Sequence, residues 1–121
     1  MNGMTTSNNS GGVLPLLFST PLYIKQMNIE IAPTDHILTN WKDANSYCEH
    51  LDYGGKHDWR LPTVAELEEL QQSSEYSYKE FYWANKAQSY FLSWATNMST
   101  GLSKLIFKDY KAYVLPVRTV S

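Results

Sequence analysis

The chain has 121 residues, of which 43% are hydrophobic, 14% aromatic and 18% charged, with a net charge of -2. This length fits one domain around one core, and the composition excludes a chain too polar to fold. The single cysteine, Cys48, excludes an intrachain disulfide and a four-cysteine zinc site, and leaves the redox compartment open.

Residues 1–12 are rich in Asn, Ser, Thr and Gly, and 1–20 reads as an N-terminal arm. Its apolar patch is Val13, Leu14, Leu16, Leu17 and Phe18, interrupted by Pro15. The patch is too short to span a bilayer and has no basic flank, so docking on a partner is expected rather than a signal peptide. Cytoplasmic synthesis and a place on a virion or particle surface are the expectations that follow.

Residues 21–121 read as a single domain. "LYIKQMNIEIA" (22–32) is expected to be one half-buried strand, with Met27, Ile29 and Ile31 alternating with Asn28 and Glu30. Pro33, Thr34 and Asp35 end it. The first helix falls within 39–55, capped by Asn40 with Asp43 in the first turn. Trp41, Ala44, Cys48 and Leu51 form its buried stripe, and Gly54 and Gly55 are expected to end it. Cys48 on that stripe reads as a core residue rather than a nucleophile.

"Thr63-Val64-Ala65-Glu66" is a capping box, and Val64, Leu67 and Leu70 are the apolar stripe of a second helix. Pro62 holds Leu61 extended, so 58–61 reads as a strand entering that helix. Arg60 is expected to tie this strand to the helix through Asp58, Glu66 or Glu69. Four β-rich runs follow, with a turn at 97–101 and Gly101 available for positive φ. Pro116 makes the last run an edge strand or a bulged one. The order of strand, two helices and antiparallel meander gives an α+β fold, two helices on a small antiparallel sheet.

The blocks "WKDANSYCEHL" (41–51), "DWRLPT" (58–63) followed by Glu66 and Leu67, "YW" (82–83) and "VR" (117–118) resemble the Lcl C-terminal domain family. That family takes its name from a collagen-like bacterial adhesin and also occurs in phage-related proteins. The resemblance covers about residues 38–120. It implies a C-type-lectin-like fold whose termini come together, so that 22–32 pairs near the last strand. The calcium-binding signatures of such lectins are absent: residues 81–108 contain no Asp or Glu, and calcium needs carboxylate oxygens.

His36, His50 and His57 show no metal spacing, and neither a phosphate loop nor a nucleophile is evident. No metal and no cofactor are expected. An enzyme using His57 with Asp58 is the weakest of the readings. Charge is unevenly placed: residues 1–75 balance to -6 and 76–121 to +4. The basic third faces either the acidic part of its own chain or a partner. Tyr76, Tyr78, Tyr82, Trp83, Tyr90, Trp94, Tyr110 and Tyr113 lie in or near that third, either as sheet core or as a contact surface.

The expected ligand-binding residues are Trp83, Tyr90, Lys104, Lys108, Tyr110 and Lys111. The leading expectation is a non-enzymatic binding module for a glycan or protein surface. The alternative is a phage virion or other assembly protein anchored by its arm, with other subunits as partners. Neither nucleic acid nor a membrane span is expected.

Overall fold

The computed structural model describes residues 21–33, 37–73 and 80–120. The arm with Val13, Leu14, Leu16, Leu17 and Phe18, the residues Thr34, Asp35 and His36, and Tyr76 and Tyr78 lie outside the described residues.

The first extended run is not one strand. β1 (Leu22–Ile24) and β2 (Ile29–Ile31) pair antiparallel across a 3-10 turn at Lys25–Met27. Asn28 closes that turn at φ 56, a left-handed conformation that a short polar side chain tolerates. Ile29 and Ile31 are buried and Glu30 points outward, so the alternation read from the sequence is real over β2 alone. β2 then pairs antiparallel with β8 (Val117–Thr119). The last strand therefore closes on the second strand of the hairpin that opens the domain, with β1 on the far side of β2.

α1 (Trp41–His50) begins where expected, with the Asn40 side chain accepting from the Asp43 amide at 2.8 Å. It ends earlier than its glycines. Leu51 is already extended, and Gly54 and Gly55, at φ 63 and 74, form a separate turn closed by paired backbone bonds between Tyr53 and Lys56. Two consecutive left-handed residues suit a tight hairpin turn. α2 (Val64–Gln72) carries the full capping box, Thr63 accepting from the Glu66 amide at 3.0 Å and Glu66 from the Thr63 amide at 2.9 Å.

The larger sheet has the order β3-β7-β4-β5-β6. β4 (Phe81–Ala87), β5 (Leu92–Asn97) and β6 (Ser103–Phe107) form the expected antiparallel meander. The last run splits at Pro116. β7 (Ala112–Tyr113) crosses to the far side of β4 and pairs with it in parallel, with β3 (Leu38–Thr39) outside it, while β8 joins the smaller sheet.

Successive residues of β4 point to opposite faces, and they divide the core in two. Tyr82 and Ala84 pack with Leu67 and Leu70 of α2 and with Ile29, Ile31 and Val117 of the small sheet. Trp83 packs with Ala44 and Cys48 of α1, and with Leu61, Ala95 and Val114. The fold is α+β, with one helix on each face of the larger sheet.

Candidate functional site

The "DWR" block is built into the framework. Trp59 is buried, and its indole N–H donates to the Tyr53 carbonyl at 3.3 Å. Arg60 exchanges backbone bonds with Val117 at 2.8 Å in each direction. Its guanidinium grips Glu66 with two bonds, 2.9 and 3.0 Å, and donates to Thr119 Oγ1 at 2.9 Å. Of the three acids considered for Arg60, Glu66 is the partner. Asp58 pairs instead with Arg118, which also donates to Glu30 at 2.7 Å.

These pairs set the local electrostatics. The Arg118 hydrogen bond holds the Asp58 carboxyl below its ordinary range. Burial works to raise Glu66, but the hydrogen bonds from Arg60 and Thr63 and the Arg60 charge together hold it low. Burial, helped by Glu49, pushes the Cys48 thiol up to about 12, so the thiolate nucleophile is suppressed. His57 faces Asp52 at 3.5 Å, both well exposed, and not Asp58. Among the described residues no group of three or more His, Cys, Asp or Glu could hold a metal ion.

Trp83 is wholly buried, and its indole N–H donates to the Thr39 carbonyl at 2.8 Å. It is a core residue and offers no surface to a ligand. Its place on the central strand of the larger sheet packs its ring into the core on the α1 side. Tyr82 is buried as well, and Trp94 and Tyr113 are half-buried.

Of the expected rings that are described, Tyr90 and Tyr110 are exposed, at 85% and 58%, and two phenylalanines join them: Phe91 at 65% and Phe107 at 53%. Tyr90 meets Phe91 edge-on at 5.0 Å between centroids, and Phe107 meets Tyr110 likewise at 5.6 Å. The crossover from β6 to β7 brings the two pairs to one end of the sheet. Along it the Lys108 amide donates to the Phe91 carbonyl at 2.7 Å, and the Lys108 carbonyl accepts from the Trp41 amide at 3.0 Å.

These bonds frame a groove of about 510 Å³, within the range of small-molecule sites. One wall is the start of α1, with Asn40, Trp41, Lys42 and Asp43. Tyr90 and Phe91 come from the β4–β5 connection, and Phe107, Lys108 and Asp109 from the end of β6. The Lys108 ammonium sits over the Trp41 ring at 4.6 Å, and the Lys104 ammonium over Phe81 at 5.1 Å. Cation–π seating fixes each ammonium without neutralising it. Two of the expected residues, Tyr90 and Lys108, thus line the groove and Tyr110 adjoins it through Phe107. Lys104 is farther along the same face of β6, and Lys111 is exposed in the crossover. Sequence reasoning missed Phe91, Phe107 and the α1 wall. The usable signal for Phe107 was an aromatic at a strand end directly before "KDY".

These features define an α+β domain whose charged "DWR" block is structural and whose exposed rings edge a surface groove. The family model of the Lcl C-terminal domain matches residues 19–118, and the chain belongs to that family. No curated protein matches the chain. Among the described residues no helix is long and apolar enough to cross a membrane.

Proposed function

We propose that this domain is a non-enzymatic, C-type-lectin-like binding module that takes a glycan or a protein surface in the groove between the start of α1 and the β4–β5 and β6–β7 connections. The observation that carries the reading is the exposed quartet Tyr90, Phe91, Phe107 and Tyr110 beside that groove. Exposed rings give large contact area for little lost side-chain entropy. Family membership supports it, since the family is named from an adhesin. So does the meeting of β2 with β8, as expected of a lectin-like fold. The thiol is sealed in the core and Asp58 is engaged with Arg118, which favours binding over chemistry.

The groove carries Lys42 and Lys108 against Asp43 and Asp109, while Lys104 and Lys111 extend a basic edge beyond it. A polar, partly anionic ligand fits this surface: rings supply area and the lysines steer. Changing Lys104, Lys108 and Lys111 together to Glu should leave the melting curve nearly intact and abolish binding to an acidic ligand. Tyr90→Ala and Tyr110→Ala should weaken binding more than folding. Wild-type binding should fall with salt. Binding to arrayed glycans and immobilised surface proteins, beside thermal melts, tests this; normal binding by the lysine and tyrosine variants overturns the groove as the site.

The second reading is a phage virion or other assembly protein anchored by residues 1–20. It rests on the apolar patch at 13–18 following a polar leader. Sedimentation of the full and the 1–20-deleted chain tests it, identical behaviour counting against the arm as an anchor.

A further inference from the structure

The chain has four tryptophans, and three of them spend their indole N–H on a backbone carbonyl: Trp41 on Ala84 at 2.9 Å, Trp59 on Tyr53 at 3.3 Å and Trp83 on Thr39 at 2.8 Å. The fourth, Trp94 in the middle of β5, is half-buried, and its N–H has no acceptor among the described residues. A half-buried N–H with no protein acceptor is left to water or to a ligand.

Trp94 lines a second cavity of about 490 Å³, on the α2 face of the larger sheet and away from the aromatic groove. Its walls include Val64 and the exposed Leu102, with Glu68 and Lys86 at the rim. The Glu68 carboxylate is held in place: Oε2 accepts from Ser103 Oγ at 2.7 Å, and Ser103 in turn bonds Thr96 Oγ1 at 2.7 Å. Its other oxygen has no partner among the described residues, and neither has the Lys86 ammonium. An acid and a base therefore line one cavity without pairing to each other, beside an unused N–H donor and an indole face.

We propose that this cavity is a second ligand site, distinct from the groove, for a neutral polyhydroxylated ring such as a hexopyranose. Such a ring has an apolar C–H face for Trp94, Val64 and Leu102. Its rim of hydroxyls both donates, to the free Glu68 oxygen, and accepts, from Lys86 and the Trp94 N–H. Opposite charges at the rim disfavour a ligand of either net charge. A backbone-sized zwitterion satisfies the charges but leaves the apolar wall uncovered.

The test is an NMR titration of the ¹⁵N-labelled full chain with methyl hexopyranosides of gluco, galacto and manno configuration. The Trp94 indole N–H signal, assigned by its loss in Trp94→Phe, should shift saturably with at least one of them, while the signals of the buried Trp59 and Trp83 stay in place; a shift of Trp41 reports the groove instead. Glu68→Gln, which keeps an acceptor for Ser103, should weaken that titration by about tenfold, the loss expected when a charge-assisted hydrogen bond is replaced by a neutral one. Lys86→Ala, at an exposed position, should weaken it as well. Absence of any shift, equal shifts of all the indoles, or a Glu68→Gln titration like the wild type overturns the proposal. So does a response confined to glycine or acetate, which would assign the cavity to a charged ligand. Because the readout is local to Trp94, failure of the groove reading leaves it intact.

Discussion

Thr63 and Glu66 each satisfy an amide that the first turn of α2 leaves unpaired, and Glu66 also anchors Arg60. Thr63→Ala should cost about 0.5–2 kcal/mol, the usual worth of a cap. Trp59→Ala should cost more, about 3–5 kcal/mol, because the ring is buried. Urea melts check both; an unchanged midpoint for Trp59→Ala would show that the block is not structural. Asp58 and Glu66 both have folded pKa values held below their ordinary ones. Their stabilisation is therefore fully present above the unfolded values, about 3.9 and 4.3, and is lost as pH falls through the lower folded values. The melting temperature should drop below about pH 4. Glu66→Gln should lower it at neutral pH and flatten the acid limb, which thermal melts across the acid range can read.

At the scale of elements, turns decide where strands end. Gly101 follows β5 at φ 82, and a Cβ there would meet Gln71 Oε1 at 2.8 Å, whereas Gly55, at φ 74, has open space around it. Gln71 Oε1 is the far end of a flexible side chain that can swing aside, so Gly101→Ala and Gly55→Ala should each destabilise by upwards of about 1 kcal/mol, chiefly for the left-handed backbone. Urea melts check both, and an unchanged midpoint for either would show that its left-handed backbone carries no cost. Asn28 and Pro116 have comparable effects on topology. The first folds 22–31 into a hairpin, and the second separates β7 from β8, so that one apolar run serves two sheets.

For the whole molecule, the two helices occupy opposite faces of the larger sheet, and the smaller sheet closes the α2 layer. Arg118, Asp58 and Glu30 tie that smaller sheet to the segment entering α2. Residues 81–108 carry no carboxylate side chain, and among the described residues no group of three or more His, Cys, Asp or Glu could hold a metal ion. A chelator should leave the melting temperature unchanged, and calorimetric titration should find no stoichiometric calcium site. A chelator-induced drop in melting temperature would overturn that expectation.

The helices and the meander were legible from the sequence because they depend on neighbours in the chain. Asn40 and Thr63 cap through amides three residues away, and the burial of Cys48, Leu67 and Leu70 follows helical spacing. The Tyr90 and Lys108 positions were legible as contact candidates because rings and lysines are concentrated in the basic third. The rest was decided by distance in the chain. Arg60 had several nearby acids, and only the closure of β8 against 58–61 gave Glu66 to Arg60 and Asp58 to Arg118. Trp83 and Tyr90 are equally aromatic, yet one is sealed at the centre of a sheet and the other stands on a turn. Composition cannot separate them, because burial is a property of what the chain packs against. The groove itself exists only because the β6–β7 crossover passes between Phe91 and the first turn of α1, a meeting of three segments that no local pattern encodes.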